Sequence, residues 1–186
     1  MFGRSPQPIV EALQRAGVSC VHLTAASMWA GLEQSLRELL ELKALLRQHP
    51  TVARLVTSAT EIEAGHRDGV VGVLAGWQNT GGLADYLPYV EAFHELGLRV
   101  VQLTYNTANA VGSGCYESTD GGLTDFGRDL VHELNRLGML VDLSHVGVRT
   151  AAEAVDASRR PVAFTHTLPA ALNPHPRNRQ DDELRH

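Results

Sequence analysis

Two apolar runs, each closed by a histidine, constrain this chain most. They are Met139-Leu140-Val141-Asp142-Leu143-Ser144-His145 and Pro161-Val162-Ala163-Phe164-Thr165-His166. Each reads as a short buried strand, and residues 148–158 between them read as one helix. The unit is strand–helix–strand, with a histidine at the same end of both strands. When such strands run parallel, their C-terminal ends share the face on which α/β sheets and barrels build their sites. Two imidazoles brought together there suit a divalent metal. Two ordinary histidines bonded to backbone account for the spacing equally well.

The same alternation runs along the whole chain. Residues 9–16 read as a short helix stopped by Gly17, and 18–24 as a strand. A long amphipathic helix covers 32–48 and is ended by Pro50. A further helix starts near Thr60, a plausible N-cap. Residues 70–76 form a strand rich in Val and Gly, 83–96 a helix closed by Gly97, and 99–104 a strand. A Gly/Asn/Ser-rich loop covers 106–122, long enough to suggest a function of its own. Thr124 caps a helix that runs to Leu137 and ends at Gly138. The tail, 167–180, holds Pro169, Pro174 and Pro176 and reads as an ordered loop, and 181–186 reads as the start of another helix. Five nearly continuous apolar strands alternating with helices predict an α/β fold around a parallel sheet.

Composition narrows the function. The 186 residues suffice for one domain with a real core. Net charge is −5, the two signs are mixed, and no basic stripe appears, so nucleic acid is not an expected partner. No apolar run approaches the roughly 18–20 residues that span a bilayer. The stretch from Met1 to Pro8 has no apolar leader-like segment. A membrane partner is therefore not expected, and a cytoplasmic location is. Cys20 and Cys115 form neither a metal-type pair nor a disulfide framework. No dinucleotide or P-loop glycine motif is present.

Strand periodicity orients the polar candidates. His145 shares a face with Leu143 and Val141, while Asp142 and Ser144 face the other way. His166 shares a face with Phe164 and Val162. Gln78 lies two residues beyond Gly76, Tyr105 lies two beyond Leu103, and His22 sits near the end of the first strand. All five project from one face if the strands are parallel. Taken singly, His22 reads better as a satisfied half-buried histidine, Tyr105 as a packing residue and Asp142 as structural. Arg177-Asn178 in the tail could clamp a carboxylate, against the plainer reading of a solvated arginine. Asp181-Asp182 is helix N-terminal chemistry.

These residues in this order resemble the membrane (renal) dipeptidase family of zinc peptidases. The resemblance is carried by Leu123-Thr124-Asp125-Phe126-Gly127, Glu133 to Gly138, Val141 to His145, Pro161 to His166, Arg177-Asn178 and Asp181 to Arg185. It runs from about Val70 onward. It implies a (β/α)8 TIM barrel with a two-zinc site and cleavage of dipeptides or related small amides. By resemblance His145 and His166 take the places of two histidines on one zinc, and Arg177 that of the arginine holding the substrate carboxylate. Tyr105 stands where the family has a substrate-binding histidine. Gln78 stands where the family has the glutamate that bridges both metals.

The family's first-strand His-x-Asp pair and its late aspartate have no counterpart in this sequence. A neutral amide at Gln78 is also a poor bridge between two cations. The resemblance thus implies a partial barrel of about five parallel strands, a single incomplete domain over 1–186 lacking the first and last strands. No catalytic acid or base is assigned. Three readings stay open: a metallohydrolase of small dipeptide-like substrates with one or two zinc ions, a metal-deficient relative that binds small molecules, and a gene fragment without activity of its own. Open strand edges favour self-association into a homo-oligomer.

Overall fold

The computed structural model describes residues 7–185. Residues 1–6, most of the Met1 to Pro8 stretch read above as lacking a leader, and residue 186 lie outside the described residues. In chain order the elements are α1 (Gln7–Arg15), β1 (Cys20–Thr24), α2 (Leu32–Gln48), β2 (Ala53–Leu55), α3 (Ala59–Asp68), β3 (Val71–Trp77), α4 (Tyr89–Glu95), β4 (Leu98–Gln102), α5 (Asp125–Leu137), β5 (Leu140–Asp142) and α6 (Val148–Ala157). Among the described residues no helix is long and apolar enough to cross a membrane.

All pairings between these strands are parallel, and β3 is the hub. Val71–Trp77 is buried along almost its whole length, as its Val/Ala/Gly run requires. One edge of β3 pairs with β1, from Cys20↔Gly72 to Thr24↔Gly76. The first half of its other edge pairs with β2 and the second half with β4, through Gly76↔Val100 and Trp77↔Val101. β4 in turn pairs with β5. The C-terminal ends of these strands therefore lie together.

Helices cover the sheet with apolar stripes. α2 buries Leu39, Leu42 and Leu46, and α5 buries Leu130, Val131 and Leu134, both at the spacing of one helix face. The caps of α5 are as the sequence predicts. Thr124 Oγ1 accepts from Gly127 N at 2.9 Å, and Gly138 closes the helix at φ 71°. That hydroxyl also donates to Ala110 O at 2.6 Å and so ties the 106–122 loop to the helix. Thr124→Ala is expected to destabilise the fold by about 1–2 kcal/mol, the upper part of the range for a lost cap. Urea unfolding measures it, and an unchanged midpoint would contradict this role.

Several expectations need correction. The cap of α3 is Ser58, which accepts from Glu61 N, and not Thr60, which lies inside the helix. The helix expected over 83–96 shrinks to Tyr89–Glu95, because Pro88 brings no N–H and restricts the residue before it. A short 3-10 turn at Gly81–Leu83 precedes it. The short strand β2 went unread. The apolar run ending at His166 makes only the Asp142↔Ala163 bridge. Beyond it two N–H groups go to side chains instead, Thr165 N to Asp142 Oδ1 and His166 N to Ser144 Oγ. The segment from Asp181 forms one turn, with Leu184 N on Gln180 O.

Candidate metal centre

The two histidines meet. His145 Nε2 lies 3.0 Å from His166 Nε2, and Gln78 Nε2 lies 3.2 Å from the same His166 atom. Three separate elements supply them. Gln78 follows the end of β3, where Gln102 at the end of β4 donates to its carbonyl oxygen at 2.6 Å. His166 is held by the side chains of Asp142 and Ser144. His145 follows β5 but does not reach the site by strand alternation. The ladder stops at Asp142, and His145 sits in the left-handed region at φ 64°.

Proton bookkeeping settles what the nitrogens offer. Thr165 Oγ1 donates its one proton to Asp142 Oδ2 at 2.6 Å. At 2.8 Å from His166 Nδ1 it must therefore accept, so Nδ1 carries the proton. Asn106 Oδ1, 2.7 Å from His145 Nδ1, is an acceptor only, so that nitrogen carries its proton too. In the neutral rings both Nε2 atoms are then unprotonated lone pairs facing each other, that of His166 also accepting from the Gln78 amide nitrogen. A cation between them relieves that repulsion. Two nitrogens on one tetrahedral zinc stand roughly 3.3 Å apart, close to the spacing seen. An end-for-end turn of the Gln78 amide presents its oxygen to the same point. The residues present thus fit one divalent cation, held by two imidazoles and an amide. Among the described residues no group of three or more His, Cys, Asp or Glu side chains is placed to hold a metal ion, here or elsewhere, so the third donor at this site is the Gln78 amide.

Electrostatics favours bare nitrogens. Burial pushes His145 down to about 4, assisted by the nearby Arg177 guanidinium and by His166. His166 is lowered by burial and Arg177, against the pull of Asp142. Tyr105 stacks on His145 with ring centres 4.3 Å apart and 26° between planes, and Trp29 meets Tyr105 edge-on. Arg177 donates from Nη2 to His166 O at 3.0 Å, while its Nε is enclosed without a partner among the described residues. Arg177 and His166 line one open cavity of about 470 Å³ with Tyr116, Leu168 and His175. A larger cavity of about 640 Å³, against α5 and Arg159-Arg160, contains none of these groups. Of the candidate groups, His166 and Arg177 line the smaller one.

Two sequence candidates stand apart from this contact set. Asn178 lines the cavity, but its amide is spent within the tail, on Asn173 O and Leu168 N. His22 is half-buried as expected but not satisfied. Its Nε2 is enclosed without a partner, and a Cβ on Gly76 would lie 2.0 Å from it. It senses the charges of His166 and Asp142 without bonding to either.

Sequence reasoning missed Asn106, Thr165, Asn109 and Arg179. Asn109 is the hub of the 106–122 loop, donating to Asn79 Oδ1, Thr80 Oγ1 and Leu103 O. Arg179 is 1 % exposed, donates to Val146 O and lies over the Phe164 ring. Its one sequence signal is Glu183, four residues on.

The family model described as Membrane dipeptidase (Peptidase family M19) matches residues 11–186. The chain belongs to this family. An uncharacterized dipeptidase of Schizosaccharomyces pombe, C965.12, is 35% identical over 127 residues, which is 66% of this chain and 30% of the relative. Dipeptidase verJ of Clonostachys rogersoniana is 29% identical over 160 residues, 85% of this chain and 41% of the relative. Among solved structures, an amidohydrolase of Pseudomonas aeruginosa superposes with TM-score 0.91 at 39% identity, covering 95% of this chain and 54% of that one. A metallopeptidase of Rhodobacter sphaeroides, solved with a phosphinate mimic of the dipeptide L-Ala-D-Ala, superposes at 0.78 with 24% identity, covering 89% of this chain and 56% of that one. The last likeness speaks for the fold alone. The chain spans between 30% and 56% of the length of these relatives.

Proposed function

We propose that this chain carries the imidazole and arginine side of a zinc-dependent hydrolase site for dipeptides or related small amides. One observation carries the reading: two unprotonated Nε2 atoms face each other 3.0 Å apart, and one of them, that of His166, belongs to a residue that lines a cavity together with Arg177. His145 and His166 would hold the ion, with the Gln78 amide oxygen as a neutral third donor. Imidazole donors favour zinc over magnesium or calcium. When bound, the ion supplies a Lewis acid for the scissile carbonyl and acidifies water.

The remaining work falls to side chains. Arg177 offers its guanidinium fork to a substrate carboxylate, and its bond to the His166 carbonyl fixes the distance between that carboxylate and the histidine pair. Tyr105 covers one face of His145 and keeps bulk water off it. Asn178 acts through the tail by holding the Arg177 segment in place. Hydrolysis breaks the amide C–N bond, adds the water oxygen to the carbonyl carbon and returns a proton to the leaving amine. Cys20 and Cys115 are free thiols, which agrees with a cytoplasmic setting.

The neutral donor set also predicts one ion per chain, not two. Titration of the chain with zinc should show one equivalent, and two equivalents or none would overturn the reading. Gln78→Glu adds a charge beside His166 Nε2 and should tighten zinc about tenfold or more, roughly 1.4 kcal/mol. The same neutral amide favours a second reading, a family member that binds dipeptides without cleaving them. Dipeptide binding by zinc-loaded protein without released amino acids would select it.

A further inference from the structure

We infer that Asn106 is the positioning residue that fixes His145 as its Nδ1–H tautomer and aims Nε2 into the site. The inference concerns this chain's own hydrogen bonding. It rests on the proposed metal reading only for its consequence, a change in zinc affinity.

The observations come from both sides of one bond. Asn106 Oδ1 sits 2.7 Å from His145 Nδ1, and no other acceptor among the described residues bonds to that nitrogen. Both partners are non-glycine residues in the left-handed region, Asn106 at φ 66° and His145 at φ 64°. Asparagine and histidine tolerate that region better than most residues, yet two facing each other need an external hold. Three neighbouring residues supply it. Cys115 N donates to His145 O at 2.9 Å, and Tyr116 N donates to Asn106 O at 2.8 Å. Gly114 lies flat on the Asn106 peptide, where a Cβ would come within 2.2 Å of the Asn106 carbonyl carbon. The Cys115 thiol points at Asn106 Oδ1 from 3.6 Å, so the amide oxygen faces two donors and its orientation is set. The 106–122 loop therefore closes a clasp around the histidine. The tautomer of an imidazole follows the hydrogen bond made by its other nitrogen. Outer partners of this kind govern how well the inner nitrogen binds a metal.

The test separates tautomer from fold and from metal. Nitrogen-15 NMR of the metal-free chain at neutral pH reads the protonated ring nitrogen of His145 directly. The expected result is Nδ1–H in the wild type, loss of that preference in Asn106→Gly, and its retention in Asn106→Asp. Glycine keeps the positive φ without strain, so a backbone role predicts no change in Asn106→Gly. Aspartate keeps the acceptor. Zinc titration of the same proteins should show a 10–100-fold weaker affinity for the glycine variant and recovery in the aspartate variant. A wild-type His145 protonated on Nε2, or a glycine variant that keeps Nδ1–H, overturns the inference. Failure of the wild type to take up zinc with the tautomer pattern intact supports the positioning role and removes the metal reading instead.

Discussion

His166→Ala is expected to abolish zinc uptake by this chain. The imidazole provides one of two bare nitrogens 3.0 Å apart, and its loss leaves one histidine and an amide. The effect should exceed the 10–100-fold that loss of an outer partner costs. The fold should survive, because His166 is partly exposed and its main-chain N–H remains on Ser144 Oγ. Calorimetric titration with zinc, paired with circular dichroism, measures both. Zinc affinity equal to that of the wild type would show that the ion, if bound, sits elsewhere. His145→Ala should give the same loss of binding with a larger loss of stability, since that residue is 4 % exposed and anchors the clasp.

Gly114→Ala should be the most damaging small substitution in the loop. The added Cβ would meet the Asn106 carbonyl carbon at 2.2 Å, its oxygen at 2.3 Å and Thr107 N at 2.5 Å. All three are backbone atoms, so no side chain can swing aside. Overpacking costs about 1–3 kcal/mol where side chains can adjust. Here a value near the top of that range or above it is expected. A loss of ~3 kcal/mol lowers Tm by roughly 6–12 °C for a chain of this size. Gly121→Ala serves as the control, since its Cβ would make only an ordinary contact of 3.5 Å with Ser113 Oγ. Scanning calorimetry of the two variants decides. Equal Tm values would mean that the loop is free to move away from Asn106.

Much of the fold was legible because it rests on local rules. The α2 and α5 stripes, the Thr124 cap and the Gly138 stop need only helical periodicity and capping chemistry, and the structure reproduces them. The convergence of Gln78, Tyr105, His145 and His166 followed from parallel strands sharing one end. The structure brings these four into contact, with His145 arriving by a left-handed turn and not by alternation, while His22, expected on the same face, bonds to none of them. One of the errors fell where side chains compete with main chain. Asp142 and Ser144 capture the N–H groups that would have continued a ladder to His166. No periodicity records such a competition, because it depends on two segments already lying side by side.

The sequence by itself determined the parallel α/β architecture and the family. Apolar spacing and cap residues act over a few positions, and those distances are written in the chain. Only the tertiary structure decided which nitrogen of each histidine faces the site. That choice depends on Asn106, 39 residues before His145, and on the Thr165–Asp142 pair, 23 residues apart. Hydrogen-bond direction is a property of atoms brought together in space, so it appears only once the loop has closed over the sheet.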